Sequence, residues 1–243
     1  MDMVEPLALT SKQNKALSQV VVELVGLAGT GKTTLTKAQN QRDERIQING
    51  DLKLRKIGHL SIFLTQLAFV LPLLLSRGPA SRRFTWDEIK SLVYLQAWPS
   101  VLRRASAMHA RVILLDQGPI FKLATLHAFG PEKLKARDSE LWWARMFEEW
   151  GSTLDLVIWL NAPADILVKR INTRQKKHAI KGKNDREARQ FLAQYQASYE
   201  HTLNRLAAQG RMTVACIDTS QKEIDQVVEE VLQRINSCVE DTK

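Results

Sequence analysis

Five short runs of apolar residues recur along the chain: "VVVELV" at 20–25, "RIQIN" at 45–49, "RVILLD" at 111–116, "LDLVIWLN" at 154–161 and "RMTVACID" at 211–218. The first and third are almost continuous rather than alternating, which predicts strands buried on both faces. Helical signals separate the runs. One helix starts after Gly31. A long helical region fills 53–109, punctuated near Arg77 to Arg83 and at Pro99, and Thr85 with Glu88 has the spacing of a capping box that opens a new helix. Another helical stretch reaches about 150 with a break at Gly130-Pro131. Pro163 stands where a first helical turn tolerates proline. Ser220 and Glu223 repeat the capping-box spacing ahead of a final amphipathic helix that ends near Ser237. Alternating strands and helices predict an α/β fold: a mostly parallel five-stranded sheet between two helical layers. No internal repeat or low-complexity linker divides it, so one domain over 19–243 is expected, preceded by a flexible tail at 1–18.

The stretch "LSIFLTQLAFVLPLLL" at 60–75 is the most apolar. It falls short of the ~20 apolar residues that span a bilayer, and Thr65, Gln66 and Pro72 interrupt it. A helix apolar on all sides is expected in a core, with contact at a membrane surface as the alternative. No transmembrane segment is predicted, and Met1 to Gln19 lacks the apolar core of a secretory signal.

Composition adds less. Of 243 residues, 44% are hydrophobic and 25% charged, the balance of a soluble globular protein. Two cysteines, Cys216 and Cys238, are too few for a metal cluster; their apolar surroundings predict buried thiols, and the usage fits a reducing cytoplasm. The net charge of +9 is local: nine Lys and Arg between 169 and 189 face only Asp185 and Glu187. Concentrated charge suits a phosphate site. It argues against a nucleic-acid surface, as does the absence of aromatic residues among those lysines.

The chemistry centres on "VELVGLAGTGKTTLTK" at 22–37. Gly26-x-x-x-x-Gly31-Lys32-Thr33 is the P-loop pattern, in the required order of strand, loop and helix. Glycines permit torsions that let successive amides point inward as an anion nest, and the helix that follows adds its positive end. The expected cradle comprises Gly26, Ala28, Gly29, Thr30, Gly31, Lys32, Thr33 and Thr34. Lys32 reaches for phosphates and Thr33 for Mg²⁺. Asp116, ending the third strand, is either a second support for Mg²⁺ or a helix cap. Asp51, in Asn49-Gly50-Asp51 after the second strand, is either a group that takes or aligns an acceptor proton or a turn residue. Arg170 and Arg174, four apart on one helical face, lead into a basic lid at about 170–186 with Lys176, Lys177, His178, Lys181 and Lys183. The arginines are assigned to phosphate; the lysines and His178 are expected at the surface.

Taken together, these parts resemble P-loop kinases of the nucleoside and nucleotide kinase group, thymidylate-kinase-like proteins above all, over residues 20 to 237. "GLAGTGKTTL" is shared by the whole P-loop class. "LDLVIWLNAPADILVKRINTR" resembles the family's fourth strand, proline turn and arginine-bearing helix. "CIDTSQKEIDQVVEEVLQRI" resembles its last strand and helix, which implies that Asp218 to Gln221, with Asp218 and Ser220 as candidates, border the adenine. The resemblance implies a P-loop NTPase three-layer sandwich, ATP and Mg²⁺ as cofactors, and transfer of the γ-phosphoryl group to a small-molecule acceptor: a nucleoside, nucleotide or sugar-like hydroxyl compound. Lys32, Asp51, Asp116, Arg170 and Arg174 are the catalytic candidates. A regulatory or mechanical ATPase is the alternative, but Gln117 and Gly118 follow Asp116 where an activating glutamate would be wanted. A polynucleotide end kinase is the third. Trp86, Trp98, Trp142, Trp143 and Trp150 are expected mostly in the core, with an acceptor pocket or a homodimer seam as other roles.

Overall fold

The structure, a computed structural model, describes residues 19–49, 57–75, 82–105, 112–175, 178–210 and 212–241. The expected tail at 1–18 lies outside the described residues. Strands β1 (Val20–Gly26), β2 (Ile46–Asn49), β3 (Val112–Asp116), β4 (Leu156–Asn161) and β5 (Thr213–Asp218) form one sheet in the order β2-β3-β1-β4-β5. Every pairing is parallel. The central strand β1 sets Val22 opposite Leu114 on one side and Leu156 on the other. Its residues are buried throughout, as its unbroken apolar run predicts.

Side chains leave the strands alternately to the two faces. Val20, Val22 and Leu24 join a core beneath helices α1 (Lys32–Arg42) and α8 (Ile224–Asp241). Val21 and Val25 join a larger core built with α2 (Ile57–Leu75), α3 (Trp86–Ala105), α4 (Pro119–Phe129), α5 (Glu140–Gly151), α6 (Ala164–Thr173) and α7 (Asp185–Ala207). Short 3₁₀ turns at Glu132–Lys135 and Arg137–Ser139 bridge α4 and α5. The result is the expected three layers.

The capping box at Thr85 is formed: the Thr85 amide donates to Glu88 Oε2 at 2.7 Å, and the Glu88 amide donates to Thr85 Oγ1 at 3.3 Å. The one at Ser220 is not. The Ser220 amide donates instead to Asp218 Oδ1 at 2.8 Å, and α8 starts four residues later at Ile224, just after Glu223, whose amide donates to Gln226 Oε1 at 3.0 Å. An aspartate two residues back competes for the same amide. The last helix also runs past Ser237, to Asp241.

Three other expectations are corrected. Pro99 does not interrupt its helix; α3 runs through it. Proline there withholds the N–H owed to the Leu95 carbonyl one turn earlier. Trp150 supplies the missing donor, its Nε1 giving a hydrogen bond to that carbonyl at 2.9 Å. Second, α2 is not a core helix. Phe63 and Val70 are buried, but Leu64, Phe69 and Leu75 are each about 60% exposed or more. Among the described residues the helix lies mainly against α3, and apolar composition does not say what covers its exposed side. Third, Cys216 is exposed and Cys238 half-buried. Cys216 lies on the edge strand β5, where Thr213, Val214 and Asp218 are exposed as well.

The pairing of Trp150 with Pro99 yields a prediction. Trp150→Phe should destabilise the fold by about 1–3 kcal/mol, because it orphans a buried carbonyl. In a Pro99→Ala background, which restores the helical N–H, the same change should cost measurably less. Urea denaturation of the four proteins in the double-mutant cycle measures that coupling.

Candidate functional site

β1 delivers its last residue, Gly26, into a tight turn. Gly26 has φ +149°, and a Cβ there would sit 2.4 Å from the Leu160 carbonyl of β4, so a side chain is excluded by both torsion and space. The loop then doubles back to Gly31, which caps α1. Thr30 is buried and its hydroxyl donates to the Leu27 carbonyl at 2.9 Å, so its side chain braces the loop from inside.

A cavity of about 560 Å³ opens over this loop. Gly26, Ala28, Gly29, Gly31, Lys32, Thr33 and Thr34 form its floor, and Arg170 and Arg174 one side. Lys32 is folded back on the loop, its Nζ donating to the Gly26 carbonyl and, at 2.9 Å, to the Leu27 carbonyl. Burial pushes its ammonium down to about 8; Asp116 nearby works against that shift, and Arg174 adds to it. Arg174 is half-buried, and its Nε has no hydrogen-bond partner among the described residues. Lys32 and Arg174 thus border one cavity, neither with an ion-pair partner among the described residues. Arg170 is spent differently. Its guanidinium donates to the Thr219 carbonyl at 2.7 Å and Thr219 Oγ1 at 3.2 Å, and more weakly to the Gly29 and Ser220 carbonyls, both at 3.4 Å. It ties the loop after β1 to the loop after β5.

The remaining candidates are placed less directly. Asp116 ends β3, half-buried, close enough to Lys32 to bias its titration but behind the cavity lining. Asp218 is exposed, and neither it nor Ser220 lines the cavity. Asp51, Lys176 and Lys177 lie outside the described residues. Lys181 and Lys183 are exposed, as expected, but His178 lines the cavity. Among the described residues no group of three or more His, Cys, Asp or Glu could hold a metal ion. A divalent ion here would depend on Thr33, Asp116 and the oxygens of whatever it accompanies. No described helix is long and apolar enough to cross a membrane.

Sequence reasoning missed the opposite wall and what holds it. Phe121 of α4 and Phe191, Leu192, Tyr195 and Tyr199 of α7 line it. The signal was legible: aromatic residues at 191, 195 and 199 are four apart and share one helical face. Behind this wall, Glu23 of β1 is fully buried and accepts the α4 amides of Ile120 at 2.9 Å and Phe121 at 3.2 Å. A carboxylate at the positive end of a helix is favourable. Gly118 must be glycine for it to fit, since a Cβ would meet Glu23 Cδ at 2.8 Å. Burial pushes the Glu23 carboxyl up to about 8, while the two amides and Lys122 pull it down. Between Asp116 and Gly118, Gln117 has φ +54°, the one non-glycine residue among those described with positive φ. Such a backbone costs about 1–2 kcal/mol.

Compared by sequence, the chain matches no protein-family profile and no curated protein. Compared by structure, it is similar to solved kinases. A thymidylate kinase from Candida albicans superposes with a TM-score of 0.55 over 90% of this chain and 92% of that one, at 16% identity. A deoxyadenosine kinase from M. mycoides superposes over 90% of this chain and 100% of its own, with a TM-score of 0.50. It does so at 14% identity with the products dCMP and a flexible dCDP bound, and at 13% with bound dCTP. The fold is that of P-loop nucleoside and nucleotide kinases. At these identities the likeness is one of fold.

Glu23 gives this site a pH signature. Its carboxyl titrates near 4.5 when unfolded and about 8 when folded. Its contribution to stability is therefore complete below about pH 4.5 and is lost as pH rises toward 8. Wild type should lose stability relative to Glu23→Gln between pH 5 and pH 8. Denaturation curves of both proteins across that range test this; a pH-independent difference contradicts it.

Proposed function

We propose that this chain is an ATP-dependent phosphotransferase that moves the γ-phosphoryl group of ATP to a small-molecule acceptor, a nucleoside, nucleotide or sugar-like hydroxyl compound. The observation that carries this is the convergence of Lys32, Arg174 and the amides at the start of α1 on one cavity, with neither cation ion-paired among the described residues. Phosphoryl transfer is catalysed mainly by such positioning and charge stabilisation. The nearness of this fold to kinases adds support at the level of architecture.

In this proposal the amides from Gly26 to Thr33 bind the β- and γ-phosphates. Lys32 leaves the Gly26 and Leu27 carbonyls for the phosphate oxygens, which restores its full charge. Thr33 and Asp116 would hold Mg²⁺, which offsets phosphate charge and aligns the chain of oxygens. The acceptor oxygen attacks the γ-phosphorus, the bond to the β,γ-bridging oxygen breaks, and ADP leaves. The acceptor's proton passes to Asp51 or to solvent. Arg174 stabilises the charge spread over the migrating group. Arg170 acts by holding the loop, and Asp218 with Ser220 lies toward the adenine end. The segment from 170 to 186 is the lid, in a single domain working in the cytoplasm.

Purified protein with Mg²⁺ and ATP should release ADP only when a suitable acceptor is added. Lys32→Ala should lower that rate by about 10²–10³-fold while leaving the melting temperature nearly unchanged. Equal turnover without acceptor would identify an ATPase instead.

A further inference from the structure

Gln117 is held in its left-handed conformation from both sides. Its N-terminal neighbour, Asp116, is fixed in β3, in register with Leu24 of β1. On the other side, Glu23 grips the amides of Ile120 and Phe121 and presses against Gly118. A strained residue that its surroundings over-determine is a pointer to function, and Gln117 lines the cavity beside the aromatic wall.

Among the described residues the charge available there is limited. Of the described cations lining the cavity, Arg170 is committed to the Thr219 oxygens and to the Gly29 and Ser220 carbonyls. Lys32 sits on the P-loop carbonyls, and Arg174 acts on the same point. His178 accepts the Ile180 amide at Nδ1, at 3.4 Å. A triphosphate uses both Lys32 and Arg174. The opposite wall, Phe121, Phe191, Leu192, Tyr195 and Tyr199, carries no formal charge. It suits a flat ring, and a carboxamide beside it offers two donors and an acceptor but no charge.

We propose that Gln117 selects an uncharged acceptor, a hydroxyl compound built on a planar ring such as a nucleoside, over the corresponding phosphate monoester. This rests on the phosphotransferase reading and names the substrate class of that same site.

The test uses the full chain with Mg²⁺ and ATP, matched pairs of nucleosides and nucleoside monophosphates, and the variant Gln117→Gly. Wild type should favour the nucleoside of the best pair by about 100-fold or more in kcat/KM, the scale at which an unpaired buried charge discriminates. Gln117→Gly should melt at a higher temperature, because glycine relieves the strain. Its acceptor KM should rise about five- to tenfold, the loss of one neutral hydrogen bond, with the KM for ATP little changed. A residue serving only the turn would raise the melting temperature without touching the acceptor KM, and that result overturns the proposal, as does a variant that melts lower. Phosphorylation of monophosphates in preference to nucleosides removes this proposal and leaves the phosphotransferase standing. Phosphorylation of neither class removes both.

Discussion

Two positive charges, Lys32 and Arg174, border one cavity without an ion pair among the described residues, and the rest of the site follows from that constraint. Lys32 makes do with two backbone carbonyls, and burial lowers its affinity for its proton. Arg174 leaves a buried Nε–H without a hydrogen-bond partner among the described residues. Each arrangement is unfavourable in isolation. Both become favourable once an anion enters. The amides at the start of α1 point the same way without carrying a formal charge.

The sheet order explains why these groups meet. β1 lies between β3 and β4, so its carboxyl end faces the carboxyl ends of both, at the place in a parallel sheet where connections diverge and ligands bind. β3 brings Asp116 and Gln117 to one side of the P-loop. β4 leads into α6 and brings Arg170 and Arg174 to the other. α7 lies across the opening and contributes its aromatic face. Glu23 connects the two halves: a buried carboxyl in the central strand fastens α4, and with it the turn that carries Gln117.

Much of this was legible in the sequence where the signal is local. The β1 strand, the P-loop and the Thr85–Glu88 capping box depend on neighbouring residues, and they form as expected. The failures depend on partners far along the chain. Pro99 reads as a break because nothing near it announces that Trp150 will satisfy Leu95. Glu23 hides in an apolar run because its partners lie nearly a hundred positions away. The α2 segment reads as core because composition reports how apolar a helix is, not how much of it finds a neighbour. Cys216 reads as buried because β5 resembles an inner strand until the strand order puts it at the edge. Arg170 lines the cavity as well as joining two loops through its hydrogen bonds, and spacing on one helical face does not contain the second role.

The central claim is that the Lys32–Arg174 wall and the amides from Gly26 to Thr33 enclose the phosphates of a nucleotide. A crystal structure with Mg²⁺ and a non-hydrolysable ATP analogue tests it most directly. The account predicts phosphate oxygens against those amides, Lys32 Nζ moved from the Gly26 and Leu27 carbonyls onto them, and the ion between Thr33 and Asp116. An empty cavity at saturating analogue, or a bound nucleotide that leaves Lys32 on its carbonyls, would contradict it.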